Sequence, residues 1–290
     1  MEQTFATAHP VFVFVHNDVG LTVVTGGAGD SSRVSLTAET AGGRELVERA
    51  TVEVRQNGGR DIVVVKVPRV HGMKFIRRNG ITVRVDVPSG SDVRVVSASA
   101  DIELNGSLGR TNVKTASGTL TADDLLELRA KTASGDVEVG TVSGALRMHS
   151  ATGDLRCVRV EGPASVTTVS GDVEIGAVSG VMDVRVTSGE ARLGDVSGNV
   201  RVVAVSGRVQ VLSITEGNVH IRSVSGKIEV GIARGATLHV DAESMSGKVH
   251  SDIPLDEEPP AAPPQPRLAL TLRSVSGDLL ITRGVEAFAR

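Results

Sequence analysis

The sequence predicts an all-β fold: a parallel β-solenoid (β-helix) of about 18-residue coils, built from nine-residue SG-x-V-x-V repeats, with a β-rich N-terminal cap. Three observations predict it. Ser-Gly pairs end at Gly171, Gly180, Gly189, Gly198 and Gly207, nine residues apart each time. Positions two and four after each glycine are mostly apolar, as in Val173 and Ile175, Met182 and Val184, Val200 and Val202, Val209 and Val211. Glu174, Asp183, Arg192, Arg201 and Gln210 stand between them, so strand alternation of period two runs inside the nonad. Taken eighteen apart, the outward residues Glu138, Arg156, Glu174, Arg192 and Gln210 alternate in sign. A nine-residue coil would instead stack Arg192 on Arg201. Opposite charges across neighbouring strands contribute roughly 0.2–1 kcal/mol and like charges destabilise. Two nonads per coil is therefore the expected girth, each coil ~4.8 Å above the last.

Glycine is expected at the corners because it adopts positive φ without a Cβ penalty. Serine is small, and its hydroxyl can bond nearby backbone. Two residues before each glycine sits Val169, Val178, Thr187, Val196 or Val205.

Residues 1–88 are β-rich without the nonad and form the expected cap region. Their strands are predicted at Val11–His16, Leu21–Thr25, Arg33–Glu39, Thr51–Arg55, Asp61–Val67 and Ile81–Val87, with a short helical turn at Arg44–Ala50. Gly26-Gly27, Asn57-Gly58 and Asn79-Gly80 supply the turns. Residues 89–290 form the solenoid, roughly nine coils, right-handed by the general crossover preference. The coil from Gly118 to Gly135 is one residue short and carries Asp123-Asp124, and the grid slips by one at Gly217. At 253–267, IPLDEEPPAAPPQPR is a Pro-rich loop, since proline cannot donate to a ladder. The pattern returns at Gly277, and the tail with Val285 and Phe288 is expected to cover the last coil.

The run VPSGSDVRVVSASADIELNGSLGRTNVKTASG, with the VSG-x-V-x-V units after it and the opening TFATAHPVFVFVHNDVGLTVV, resembles the bacterial putative-adhesin family of β-strand-repeat proteins. The resemblance covers nearly the whole chain. It implies the solenoid fold, in a domain of unknown function, and carries no catalytic motif.

Net charge is −3, which gives no strong bias towards nucleic acid or an acidic membrane. No stretch approaches 18 continuous apolar residues and no basic flank precedes an apolar run, so the expected location is cytoplasmic, with the surface left open. The lone Cys157, four after Gly153, is expected in the core.

Calcium-binding nonapeptide rolls place aspartates at each turn. Here the residue after Ser-Gly is Asp136, Asp172, Val181, Glu190, Asn199, Arg208 or Lys227, and basic residues in that ring argue against a cation ladder. The seven histidines show no close pair of metal-ligand spacing. The acidic clusters Asp123-Asp124 and Asp256-Glu257-Glu258 lie at irregular corners, and Trp and Tyr are absent, so a carbohydrate-active enzyme is disfavoured. No catalytic, cofactor-binding or metal residue is assigned, and no cofactor or small-molecule substrate is expected. The expected function is a non-catalytic scaffold that binds a protein partner or another copy, with no nucleic acid and no membrane span. A polymerising cytoskeletal β-helix is the alternative.

Overall fold

The computed structural model describes residues 1–7, 9–69, 80–234, 238–253 and 268–284. The fold is mostly β, a parallel solenoid with a β-rich N-terminal region. The chain divides into two compact units, Met1–Met148 and His149–Arg290.

The first unit opens with β1 (Glu2–Ala6), β2 (Phe12–His16), β3 (Gly20–Gly27) and β4 (Ser31–Ala38), then the helix α1 (Ala41–Glu48). Thr40 caps that helix, its Oγ1 accepting from the Gly43 N–H at 3.1 Å. The unit continues with β5 (Thr51–Asn57), β6 (Arg60–Lys66), β7 (Ile81–Pro88), β8 (Asp92–Val96), β9 (Asp101–Lys114), β10 (Leu120–Lys131) and β11 (Val137–Val142). β12 (Leu146–Ser150) begins at its end. The strands predicted up to Val87 are all present, and β1 is additional.

The order in space departs from the order in sequence. β2 lies parallel between β6 and β8, and β3 lies parallel between β7 and β9. The first coil of the chain is thus threaded between two later ones, and strands from both sides of residue 88 share ladders. Beyond it, β7 is flanked by antiparallel β4, which carries β1, and β6 is flanked by antiparallel β5. These antiparallel strands cover the parallel edges that the coil would otherwise present to another chain. The short coil expected at Asp123-Asp124 shows as a register shift between Ala122 and Asp124 in the β9–β10 pair.

The second unit alternates two walls. One holds β13 (Leu155–Val160), β15 (Val173–Val178), β17 (Ala191–Val196), β19 (Val209–Ile214) and β21 (Ile228–Ile232). The other holds β14 (Ala164–Thr168), β16 (Met182–Ser188), β18 (Val200–Ser206) and β20 (Gly217–Ser225). Partners are eighteen residues apart, Val173 against Leu155 and Ala191, so the coil is two nonads. The slip at Gly217 appears as a spacing of nineteen in the β18–β20 pair, Val200 against Val219, and the spacing returns to eighteen between Val211 and Ile214 against β21.

The end of this unit repeats the inversion. β24 (Leu268–Ser276) lies between β20 and β22 (Leu238–Ser244), and β25 (Leu279–Arg283) lies between β21 and β23 (Val249–Ser251). The last coil in sequence is therefore not the last in space. Val285 and Phe288 lie outside the described residues, as do residues 254–267 of the Pro-rich loop, the Asp256-Glu257-Glu258 cluster and Asn79 of the Asn79-Gly80 turn.

The core is stacked Val, Ile and Leu. Val137, Leu155, Val173 and Val209 are buried, and Glu174 points out between Val173 and Ile175, as predicted. The two walls are not equivalent, however. One puts positions two, four and seven after its glycine inward (Val173, Ile175, Val178), the other two, four and six (Ala164, Val166, Thr168). The extra residue on the first wall sits at a second glycine, Gly176 or Gly194, where a Cβ would strike the neighbouring coil's backbone. Consequently Val178 and Val196 are buried while Val169 and Val205 face solvent.

The corner glycines also have a cause beyond the one expected. Positive φ occurs at Gly189, Gly207 and Gly226, but not at Gly118, Gly135 or Gly171. Common to all six is that the glycine lies against a carbonyl oxygen of the adjacent coil, leaving no space for a Cβ. Where φ is unexceptional, a Thr three residues earlier holds the turn: Thr115, Thr132 and Thr168 accept from the N–H of Gly118, Gly135 and Gly171. Where Val186 or Ala204 replaces it, the glycine N–H donates to Ser206 or Ser225 of the next coil instead.

Candidate interaction surface

The corner carboxylates come first, because a calcium ladder would use them. Asp154 Oδ1 accepts from the Asp172 N–H at 2.8 Å, and Asp172 Oδ1 accepts from the Glu190 N–H at 2.7 Å. Asp101 does the same for Thr119, Asn199 for Asn218 and Asp278 for Lys248. The residue after Ser-Gly thus tethers one coil to the next, and an asparagine serves as well as an aspartate. Among the described residues no group of three or more His, Cys, Asp or Glu side chains converges on a metal position.

Cys157 is buried, and its Sγ donates to the Arg159 carbonyl at 3.4 Å. Burial pushes the thiol up to about 11, against a partial lowering by that hydrogen bond, so the nucleophilic thiolate is suppressed at neutral pH. His220 and His250 face outward. His250 bonds Asp252 at 2.9 Å and His16 bonds Asp18 at 3.1 Å, both local contacts. Among the described residues no helix is long and apolar enough to cross a membrane.

What remains are outer surfaces, and two stand apart. The first is a ladder along one corner of the second unit. Val169, Val205, Val224 and Val275 are 51%, 45%, 49% and 46% exposed, and Met245 is 78% exposed. The register places Val205, Val224 and Val275 on successive coils in that order. Met245 follows on the outermost one, its N–H donating to the Ser274 carbonyl. These are the residues two before the glycine, and the sequence pattern did not separate them from their buried counterparts.

The second is a groove of about 360 Å³ on the first unit, lined by Phe12, Arg94, Arg110, Asn112, Arg129 and Arg147 among others. The β8–β9 and β9–β10 registers stack Arg94, Asn112 and Arg129 in one column, and Lys114 on Lys131 in the next. Leu128 donates to the Ala145 carbonyl, which sets Arg147 beside Arg129. Among the described residues these five cations make no ion pair, although Arg94 lies over the Phe14 ring, 5.9 Å from its centroid. The adjacent column is balanced: Arg110 pairs with Glu127 at 3.6 Å, and its N–H donates to Asp92 at 2.7 Å.

Fold and surface together define a parallel β-solenoid whose distinctive chemistry lies on its outer walls. The chain belongs to the Toastrack DUF4097 family, whose profile matches residues 19–261. Among solved structures it is similar to a putative cell adhesion protein from Clostridium sporogenes, at 11% identity and TM-score 0.27, over 98% of this chain and 99% of that one. It is also similar to a putative adhesin from Parabacteroides distasonis, at 13% identity and TM-score 0.31, over 97% and 96%. A third is a putative lipid binding protein from the same organism, at 11% identity and TM-score 0.35, over 98% and 94%. Among curated proteins none matches this chain.

Proposed function

We propose that the protein is a non-catalytic scaffold that binds a protein partner or another copy of itself through the corner ladder of its second unit. The observation that carries this is the recurrence of exposed apolar side chains at Val169, Val205, Val224, Val275 and Met245. Single exposed valines are ordinary, but Val205, Val224, Val275 and Met245 are aligned on successive coils and make a continuous apolar strip, from which Thr187 separates Val169. Such a strip is the kind of feature that marks a protein contact. The corner backbone does not require them, since Thr187 and Ala151 occupy the same position and are also exposed.

The test is a triple variant, Val205→Ser, Val224→Ser and Val275→Ser, in the full chain. Wild type and variant are followed by sedimentation over a concentration series, and by crosslinking in the native host. The expected result is an unchanged melt with loss of the self-association or of the crosslinked partner. Identical sedimentation and identical crosslinks in both proteins would overturn the assignment. End-to-end polymerisation is the rival, and β4, β1 and β5 stand against it by covering the parallel edges of the first unit.

A further inference from the structure

We propose that the basic groove of the first unit binds a linear acidic polysaccharide, a polymer carrying one carboxylate per sugar along an otherwise hydroxylated chain. This is independent of the corner ladder, which lies in the other unit.

The first argument is what the groove costs the fold. Like charges directly across neighbouring strands destabilise, and elsewhere the solenoid strands avoid or neutralise them. In the second unit Arg156, Glu174, Arg192 and Gln210 follow one another on one wall, with Arg156 and Glu174 paired at 3.9 Å. Where Arg222 does stack on Arg273, Asp241 and Glu243 hold Arg273 at 2.6 and 2.8 Å. Along one side of the groove's own lining, Asp92, Arg110 and Glu127 alternate. The two columns with Lys114 on Lys131 and Arg129 beside Arg147 have no such compensation among the described residues. A chain of net charge −3 has acidic residues to place there and has not done so. Stability given up at one place on an otherwise charge-balanced surface marks a functional constraint.

The second argument is geometric. Arg129 and Arg147, like Lys114 and Lys131, are one strand spacing apart, ~4.8 Å along the coil axis, and Arg94 lies two strands from Arg129 across Asn112, so the cations line up along that axis. A globular acidic patch does not match such a row. A linear polymer does, when its charges recur at about one sugar ring's length.

The third argument separates a sugar polymer from a nucleic acid strand. Single-stranded nucleic acid binding relies on aromatic side chains on which successive bases stack. Here the columns contain no aromatic residue beyond Phe12 and Phe14 at one end, and Arg94 lies over Phe14. Asn112, between Arg94 and Arg129, has a buried amide oxygen without a hydrogen-bond partner. A buried amide lacking a partner is unfavourable. That oxygen is enclosed, so a sugar hydroxyl, which both donates and accepts, reaches it only when the side chain turns over towards the groove.

The experiment uses the full-length protein and polygalacturonate as the probe, with binding measured by affinity electrophoresis over a salt series. A charge-matched oligothymidylate is run in parallel. The groove variant, which includes one cation of the flanking column, is Arg129→Gln, Lys131→Gln and Arg147→Gln. The control variant removes as many cations from the second unit, at Arg185, Arg201 and Arg222. Wild type should bind polygalacturonate more tightly than the oligonucleotide. The groove variant should lose about tenfold or more, with a shallower salt dependence because fewer counterions are released, and the control should match wild type. The groove variant should also melt at the same or a higher temperature, because it relieves like-charge stacking; this separates lost binding from lost folding. No binding by wild type, equal loss in both variants, or tighter binding of the oligonucleotide would each overturn the assignment. So would self-association that the groove variant abolishes, since a second copy would then occupy the groove.

Discussion

Gly171 has no space for a side chain, because its Cα lies against the carbonyl oxygen of Gly153 in the adjacent coil. Its φ would accept other residues, so the restriction is steric and comes from a residue eighteen positions away. Gly171→Ala should therefore destabilise by roughly 1–3 kcal/mol, as overpacking does. Gly29→Ala, with nothing near the added carbon, should stay within about ±0.5 kcal/mol. Urea midpoints of the two variants check this. Cys157 gives a pH test. Its thiol is raised from 9.0 to about 11 by burial, so the unfolded chain releases that proton first. The stability it contributes is whole below pH 9 and drains as pH rises towards 11. Cys157→Ala should flatten that part of the stability–pH curve, and an unchanged curve would show that the thiol is not held protonated.

On the strand scale, the register makes Val173 and Glu174 opposites although they are neighbours. Val173→Asp should be severely destabilising, since it buries an unpaired charge. Glu174→Gln should cost well under ~1 kcal/mol, as expected of an exposed pair. At the corner, Asp172 accepts a backbone N–H from the next coil. Asp172→Asn should be tolerated, because Asn199 makes the same bond, while Asp172→Ala should cost about 1 kcal/mol. Since these oxygens are committed to backbone donors, melting temperature should ignore both millimolar calcium and a chelator. A calcium-dependent rise of several degrees would show instead that a native-state ion site exists.

At the scale of the molecule, each unit threads a sequence-terminal coil between two others. Removing residues 268–290 would strip β24 and β25 from between β20–β21 and β22–β23. Two new edges would open at once, and β22 and β23 would lose their only partners among the described strands. Hydrogen exchange of that truncated protein should show lost protection across both 217–232 and 238–251, together with a tendency to associate through the exposed edges. Protection lost from 238–251 alone would mean that the inner coil does not depend on the threaded one. Deleting residues 1–88 removes β2 and β3 from β8 and β9 in the same way, and should drive the remaining chain into oligomers.

The nonad, the Ser-Gly corners and the alternation of Val173, Glu174 and Ile175 are local patterns, and they sufficed for a parallel solenoid with two repeats per coil. A period of two inside a period of nine leaves few other ways to bury one face of every strand. The exposed ladder stayed hidden because Val169 and Val178 occupy the same place in the repeat, and only the extra residue at Gly176 turns one outward and the other inward. The basic groove stayed hidden because Arg94, Asn112, Arg129 and Arg147 are seventeen or eighteen residues apart in a chain of nearly balanced charge. The threading of β2–β3 and of β24–β25 has no local signature at all. It uses ladder edges that exist only once the neighbouring coils have formed, and that is a property of the assembled sheet.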